Sequence, residues 1–302
     1  MSPPHEVERE YPLARLTTVR TGGPADFFAR AGSDERLAEL LAWADGDDLE
    51  VGVVGSGSNL LVADEGFRGL VVKLDGSLAA IERHDEHLVC GGGARLPQAA
   101  AYAARAGLSG LEFGVNIPGT VGGAVKMNAN AYGGDLARVL EWVDVTTPSG
   151  GERRRPEELG FEYRRSNLRP REIVARASFA LESADPAGVK ATLGQMRDRR
   201  KEAQPSGIKT FGSTFKNPDD PAAGGRSAGV LLDEAGCRGL QVGGARFSDK
   251  HANFVENTGG ATTADVIALM AEGRRRVREA RGVLLEPEVQ LLGAVDASEL
   301  DL

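Results

Sequence analysis

The sequence predicts an α+β fold, and three observations carry that prediction. Helical and strand-like stretches follow one another in mixed order, without the regular alternation of a doubly wound sheet. The region between the second and third helices is rich in strand patterns. The Gly-, Pro- and polar-rich stretch AQPSGIKTFGSTFKNPDDPAAGGRS marks a domain boundary near Gln204.

The first helix lies in SDERLAELLAWA. Ser33 can cap it, acids fill its first turn, and Leu37, Leu40, Leu41 and Ala44 recur at helical spacing. LEVGVVG and LVVKL read as strands. The second helix, PQAAAYAARAG, starts with Pro97 in its first turn and stops at Gly107. VLEWVDV and IVARASFAL are further strands, the second placing Ile173, Ala175, Ala177, Phe179 and Leu181 on one face. The third helix runs from about Pro186, capped by Asp185, with Val189, Leu193 and Met196 on one side, and halts before Pro205. A fourth spans about Thr263 to Arg281 and ends at Gly282.

A net charge of −8 argues against a nucleic-acid or anionic-membrane partner. Two cysteines, Cys90 and Cys237, make no disulfide framework and fit a reducing compartment. MSPPHEVEREYPLARL has no apolar core, so no signal peptide is expected. No apolar run approaches the roughly 18 residues that span a bilayer. The expectation is a soluble, cytoplasmic protein with no obligate protein partner.

Glycine is abundant and clustered, in RTGGPAD, GSGSN, CGGG and PGTVGGA, which suggests backbone that turns sharply or lies close to a ligand. Gly55-Ser56-Gly57 opens like a dinucleotide-binding fingerprint, but the third glycine position holds Leu60. Such a fingerprint also needs a helix at once, so that its N-terminus meets the pyrophosphate. Only SNLLVADE separates Gly57 from Gly66, so Leu60 is read as the return to a strand and the Rossmann reading fails. An anion-binding turn needs no helix. Gly55 to Asn59, with Ser56 and Ser58 as short donors, and the second loop at Pro118, Gly119, Thr120, Gly122 and Gly123 suit a large diphosphate-containing cofactor.

Seven ordered motifs then coincide: TTVRTGGPAD, GSGSNLLVADEGFRG, IPGTVGGAVKMNANAYGG, YRRS, GSTFKNP, SDKHANFVEN and LEPEV. Together they make the chain similar, over nearly its whole length, to the UDP-N-acetylenolpyruvoylglucosamine reductases, FAD enzymes of peptidoglycan precursor synthesis. The resemblance implies a FAD-binding region of the vanillyl-alcohol-oxidase type in two subdomains, residues 1–70 and 71–203, and a substrate-binding domain at 204–302. It also implies NADPH as the reductant that charges FAD and leaves, after which UDP-N-acetylglucosamine-enolpyruvate is reduced to UDP-N-acetylmuramate. With no long insertion between YRRS and GSTFKNP to supply a substrate-covering tyrosine loop, the chain resembles the shorter subtype. Asn116 and Asn130 stand where such enzymes usually carry glycine. Asparagine tolerates left-handed backbone best after glycine, so these turns are expected to survive.

The same resemblance assigns roles to particular residues. Arg164, beside Tyr163 and Ser166, is the implied catalytic arginine, able to stabilise an enolate-like charge. Ser213 is the implied proton donor, although a serine in such a loop is by itself more often a turn residue. Glu288 matches the implied catalytic glutamate and Glu286 the structural one. Tyr163, Lys216 and Asn217 are the implied substrate contacts, the last two toward its diphosphate.

Other patterns carry less. GRSAG at 225–229 copies a nucleophile elbow without the apolar strand that must precede it. His84 and His87 in HDEH read as a solvated hairpin, and no metal site is expected. His251 has no nucleophile partner at a telling spacing, and its role stays open. The RRR runs at 153–155 and 274–276 read as solvated faces, and both cysteines as small buried hydrophobes. Two rivals remain: a FAD oxidase or dehydrogenase acting on another substrate, and a nucleotide-sugar-binding protein without catalysis.

Overall fold

Capping chemistry sets the helices. Ser33 accepts the amide of Arg36 at 3.3 Å and opens Asp34–Gly46. Thr262 and Asp265 form a reciprocal capping box at the start of Thr263–Arg281, each accepting the other's amide at 3.0 to 3.1 Å. Asp185 accepts the amides of Ala187 and Gly188 and opens Pro186–Ala203. Leu96–Arg105 begins with proline in its first turn, as expected. The computed structural model describes residues 2–301, and they fall into two compact units. The first gathers residues up to 10, 26–56 and 68–200; the second gathers 11–25, 57–67 and 201 onward.

In the first unit, Glu8–Pro12, Pro24–Ala31, Phe67–Leu74 and Glu50–Val53 make a sheet in that order. The last two strands are parallel, with Val51 opposite Leu70 and Val53 opposite Val72. Leu37, Leu40 and Leu41 of the first helix pack with Ala29, Ala31, Leu70 and Val72 of this sheet. A second, antiparallel sheet has the order Gly150–Arg154, Leu140–Thr147, Ile173–Ala180, His87–Gly91 and Ile81–His84. Ala99 and Ala103, Val121 and Val125, and Val189 and Leu193, from three helices, pack against it.

The strand Ile173–Ala180 departs from the single face expected of it. Asp144 pairs with Arg176 while Val145 pairs with Val174, so Ala175 is an extra residue on this strand. Such a bulge reverses the alternation of faces. Ile173 and Ala175 accordingly join the core of the first sheet, whereas Ala177, Phe179 and Leu181 join that of the second.

In the second unit, Thr263–Arg281 and Ala228–Glu234 share one core with Phe211, Phe215, Phe247, Val255 and Leu285. Gln241–Val242, Ala245–Phe247 and Val255–Asn257 form an antiparallel meander. Leu60–Val62 is a strand, as the failed fingerprint implied, and it pairs in parallel with Gln290–Leu292. Arg274 corrects the solvated reading of its run: it is buried and donates to the carbonyl of Leu285 and to Asp301. The α+β class is the observed one. Among the described residues no helix is long and apolar enough to cross a membrane.

Candidate active site

The expected site residues divide between the units, and the division falls inside GSGSN, between Ser56 and Gly57. On the second unit, residues 213–216 lie between two other segments. Ser213 faces Phe254, and Thr214 donates to the carbonyl of Asn253 at 2.8 Å. On the other side Phe215 faces Pro287; Glu288 donates its amide to Thr214 at 2.9 Å and Lys216 donates to Glu286 at 2.8 Å. Glu286 and Glu288 flank Pro287 in this extended stretch and so share a face, and what separates them is burial. Glu286 is exposed and its carboxylate accepts from Lys216 Nζ at 3.2 Å, while Glu288 and Ser213 are both half-buried. Asn217 uses its side-chain oxygen to accept the amide of Ala228 at 3.1 Å, at the start of Ala228–Glu234.

The second half of GSGSN is tied to this same group. Asn59 donates from its side-chain amide to the carbonyl of Glu288 at 3.1 Å, and its own carbonyl accepts from Gln290 at 3.1 Å. Gly57 has a φ of +62°, and a Cβ there would stand 2.0 Å from the carbonyl oxygen of Leu16. Only glycine fits. Its carbonyl accepts from both the amide and the hydroxyl of Thr18 at 3.0 Å.

On the first unit the two glycine loops meet. A Cβ on Gly55 would lie 2.4 Å from the hydroxyl of Thr120, so this glycine allows the loops to touch. Thr120 in turn accepts the amide of Gly123 at 3.4 Å. The amides of Gly119, Val121 and Gly122 are already spent on the carbonyls of Ile117, Ala94 and Gly92, each at 2.8 Å. An anion at this loop would not receive those three. Gly119 is different in another respect: a Cβ there would meet no protein atom within 4 Å, so protein packing does not explain the missing side chain.

A cation also stands here. Lys73 is half-buried and donates to the carbonyl of Gly55. Burial, then the nearby charges of Arg30 and Arg95, push its pKa down. Basic groups around Gly55 and an open face at Gly119 fit the diphosphate of a FAD, which would lie against Gly55, Ser56, Gly119 and Thr120. Sequence reasoning missed Lys73, for which a lone lysine in the apolar run LVVKL was the available signal.

Arg164 stands at the tip of a tight turn, in which Glu162 and Arg165 exchange both backbone hydrogen bonds, at 3.1 and 3.2 Å. Its φ is +59°, a left-handed conformation that costs a non-glycine residue on the order of 1 kcal/mol. The guanidinium lies 5.0 Å from the centre of the Tyr163 ring and donates from Nη1 to Asn130 Oδ1 at 2.8 Å. Tyr163 itself is 45% exposed, and Arg165 is exposed beside Glu162 as expected. Asn116 and Asn130 correct the sequence reading, because neither has a positive φ; Asn128, with φ of +40°, does. What Asn116 and Asn130 contribute is side-chain hydrogen bonding. Asn116 donates to the carbonyl of Met196 at 2.7 Å and to the Tyr132 hydroxyl at 3.1 Å.

The weaker patterns resolve plainly. Ser227 of GRSAG caps Ala228–Glu234 by accepting from Val230, with a 3-10 turn and no strand before it. His84 and His87 face each other across a hairpin, and among the described residues no cluster suited to a metal occurs. Cys90 and Cys237 are buried, and burial pushes their thiols up to about 12 and about 11. His251 packs edge-on against Phe254 and accepts the amide of Asn253 on Nδ1 at 3.2 Å. An open depression of about 460 Å³, lined by Thr147–Glu152 and Arg169–Glu172, contains none of the expected site residues.

Two family models match the chain. The family described as UDP-N-acetylenolpyruvoylglucosamine reductase, C-terminal domain, matches residues 204–292, and the one described as FAD binding domain matches residues 25–154. The UDP-N-acetylenolpyruvoylglucosamine reductase 2 of Symbiobacterium thermophilum is 44% identical over 292 residues, covering 96% of this chain and 93% of its own length. The corresponding reductase of Heliobacterium modesticaldum is 42% identical over 287 residues, covering 94% and 90%. The crystal structure of the UDP-N-acetylenolpyruvylglucosamine reductase (MurB) of Thermus caldophilus superposes with a TM-score of 0.80 at 39% identity, covering 95% of this chain and 98% of that one.

Proposed function

The chain belongs to the UDP-N-acetylenolpyruvoylglucosamine reductase family, FAD-dependent oxidoreductases acting on a small molecule, and from that premise we propose that it uses NADPH to reduce UDP-N-acetylglucosamine-enolpyruvate to UDP-N-acetylmuramate. The reaction would serve peptidoglycan precursor synthesis in the cytoplasm. When bound, FAD supplies the hydride, taken from NADPH, to the enolpyruvyl methylene carbon.

The protein's part is binding, charge and one proton. Ser213 gives its hydroxyl proton to the carbon next to the one that receives hydride, which completes addition of H2 across the double bond. Arg164 stabilises the enolate-like charge that develops on the enolpyruvyl carboxylate. Glu288 polarises the acid–base partners, Lys216 and Asn217 hold the substrate diphosphate, and Tyr163 lines the sugar-nucleotide side. Gly55 and Ser56, with Gly119 and Thr120, hold the cofactor diphosphate.

One observation supports this assignment most. Ser213 and Glu288 are held in register on either side of Thr214, through the Glu288 amide and the Ser213–Phe254 pairing. The test is Ser213→Ala. NADPH should still bleach the flavin of this variant, while the enolpyruvyl substrate should no longer restore its colour. Normal reoxidation in Ser213→Ala would remove the serine from its role.

A further inference from the structure

We propose that Asn130 is a positioning residue for Arg164, holding its guanidinium in the orientation that meets the substrate. The inference rests on the reading of Arg164 given above and adds to it a residue on a different segment of the chain. Arginine has donors only, so the Asn130 atom that faces Nη1 at 2.8 Å is its side-chain oxygen. The Asn130 carbonyl stands 3.4 Å from the same nitrogen.

The turn that carries Arg164 is anchored to one stretch of chain at three points. Ser166 donates its hydroxyl to the carbonyl of Lys126 at 2.8 Å, and Asn128 donates from its amide to the carbonyl of Glu162 at 3.1 Å. Both fix backbone. Asn130 is the third, and it fixes the charged group. Asn130 is itself held rigid: Asn130–Ala131 pairs with Gly134–Asp135 across a two-residue turn at Tyr132 and Gly133, both with positive φ. Orienting a long side chain in advance saves part of its rotamer entropy at the transition state. The left-handed backbone of Arg164 then has a use, since it aims the side chain at this acceptor.

The experiment is a double-mutant cycle on the flavin-loaded enzyme with Asn130→Ala, Arg164→Ala and the pair. The readouts are flavin reduction by NADPH, reoxidation by the enolpyruvyl substrate, and the melting temperature. Asn130→Ala should slow reoxidation about ten- to a hundredfold and leave NADPH reduction and melting unchanged. In the Arg164→Ala background the same change should cost nothing further. An equal loss in both backgrounds, or no loss in the first, overturns the role of Asn130 while leaving that of Arg164 standing. Arg164→Ala that reoxidises normally overturns the reading of the arginine itself. If Asn130→Ala fails to fold, Asn130→Ser, with a shorter and misplaced acceptor, replaces it in the cycle, and the same losses support or overturn the role.

Discussion

The side-chain amide of Asn253 closes on the backbone of Phe215 from both sides, accepting its N–H at 2.9 Å and donating to its carbonyl at 2.8 Å. Both residues are buried, and Asn253 also accepts Thr214 on its main-chain carbonyl. The clasp therefore holds the segment that begins at Ser213. Asn253→Ala strands two buried backbone groups, and the melting temperature should fall by about 5 °C or more. Asn253→Asp keeps the acceptor and loses the donor, so it should fall between wild type and alanine. Equal melting of wild type and Asn253→Ala would show the clasp to be idle.

Two glycines of the cofactor loops should behave in opposite ways. Gly57→Ala sets a Cβ against the backbone of Leu16 and should cost about 2–4 kcal/mol of stability. Gly119→Ala meets no protein atom, so its melting in the cofactor-free form should match wild type. If Gly119 lies against FAD, the added methyl should weaken FAD binding about tenfold or more. Flavin titration by fluorescence separates the cases, and unchanged affinity in Gly119→Ala would take the residue out of the cofactor site.

Acid should unlock one pair. Arg154 donates to both oxygens of Glu172, at 2.7 and 3.0 Å, and neither side chain is more than 17% exposed. Those hydrogen bonds, helped by the amide of Arg169, hold the Glu172 carboxyl down to about 2, against an ordinary 4.5. A carboxyl lowered in the folded state contributes stability above its unfolded value and loses it as pH falls through the folded one. Glu172→Gln should thus be less stable than wild type at pH 7, and the gap should close between about pH 4.5 and 2. Urea unfolding at several pH values measures it, and a gap independent of pH would contradict the assignment.

How far the sequence reached follows from the range of the interactions. Caps and stops act within a turn, so Ser33, Asp185 and the helix ending at Gly282 were legible. Leu60 was legible too, because a missing glycine and a missing helix are local facts. The contacts that build the site are not local. Asn130 meets Arg164 34 residues away, and Asn253 meets Phe215 38 away. Polar pairs of that kind leave no periodicity in a sequence. Asparagine at 116 and 130 suggested tolerance of an unusual backbone, whereas the structure uses the side chains. The bulge at Ala175 was hidden for a related reason: an apolar alternation looks continuous even where the strand changes face.

The most direct measurement is an anaerobic absorbance titration of the purified, flavin-loaded protein. NADPH should bleach the flavin band, and stoichiometric UDP-N-acetylglucosamine-enolpyruvate should then restore it, with UDP-N-acetylmuramate recovered in equal amount. A protein that takes up no FAD, or whose bleached flavin the enolpyruvyl substrate leaves unchanged, would contradict the account.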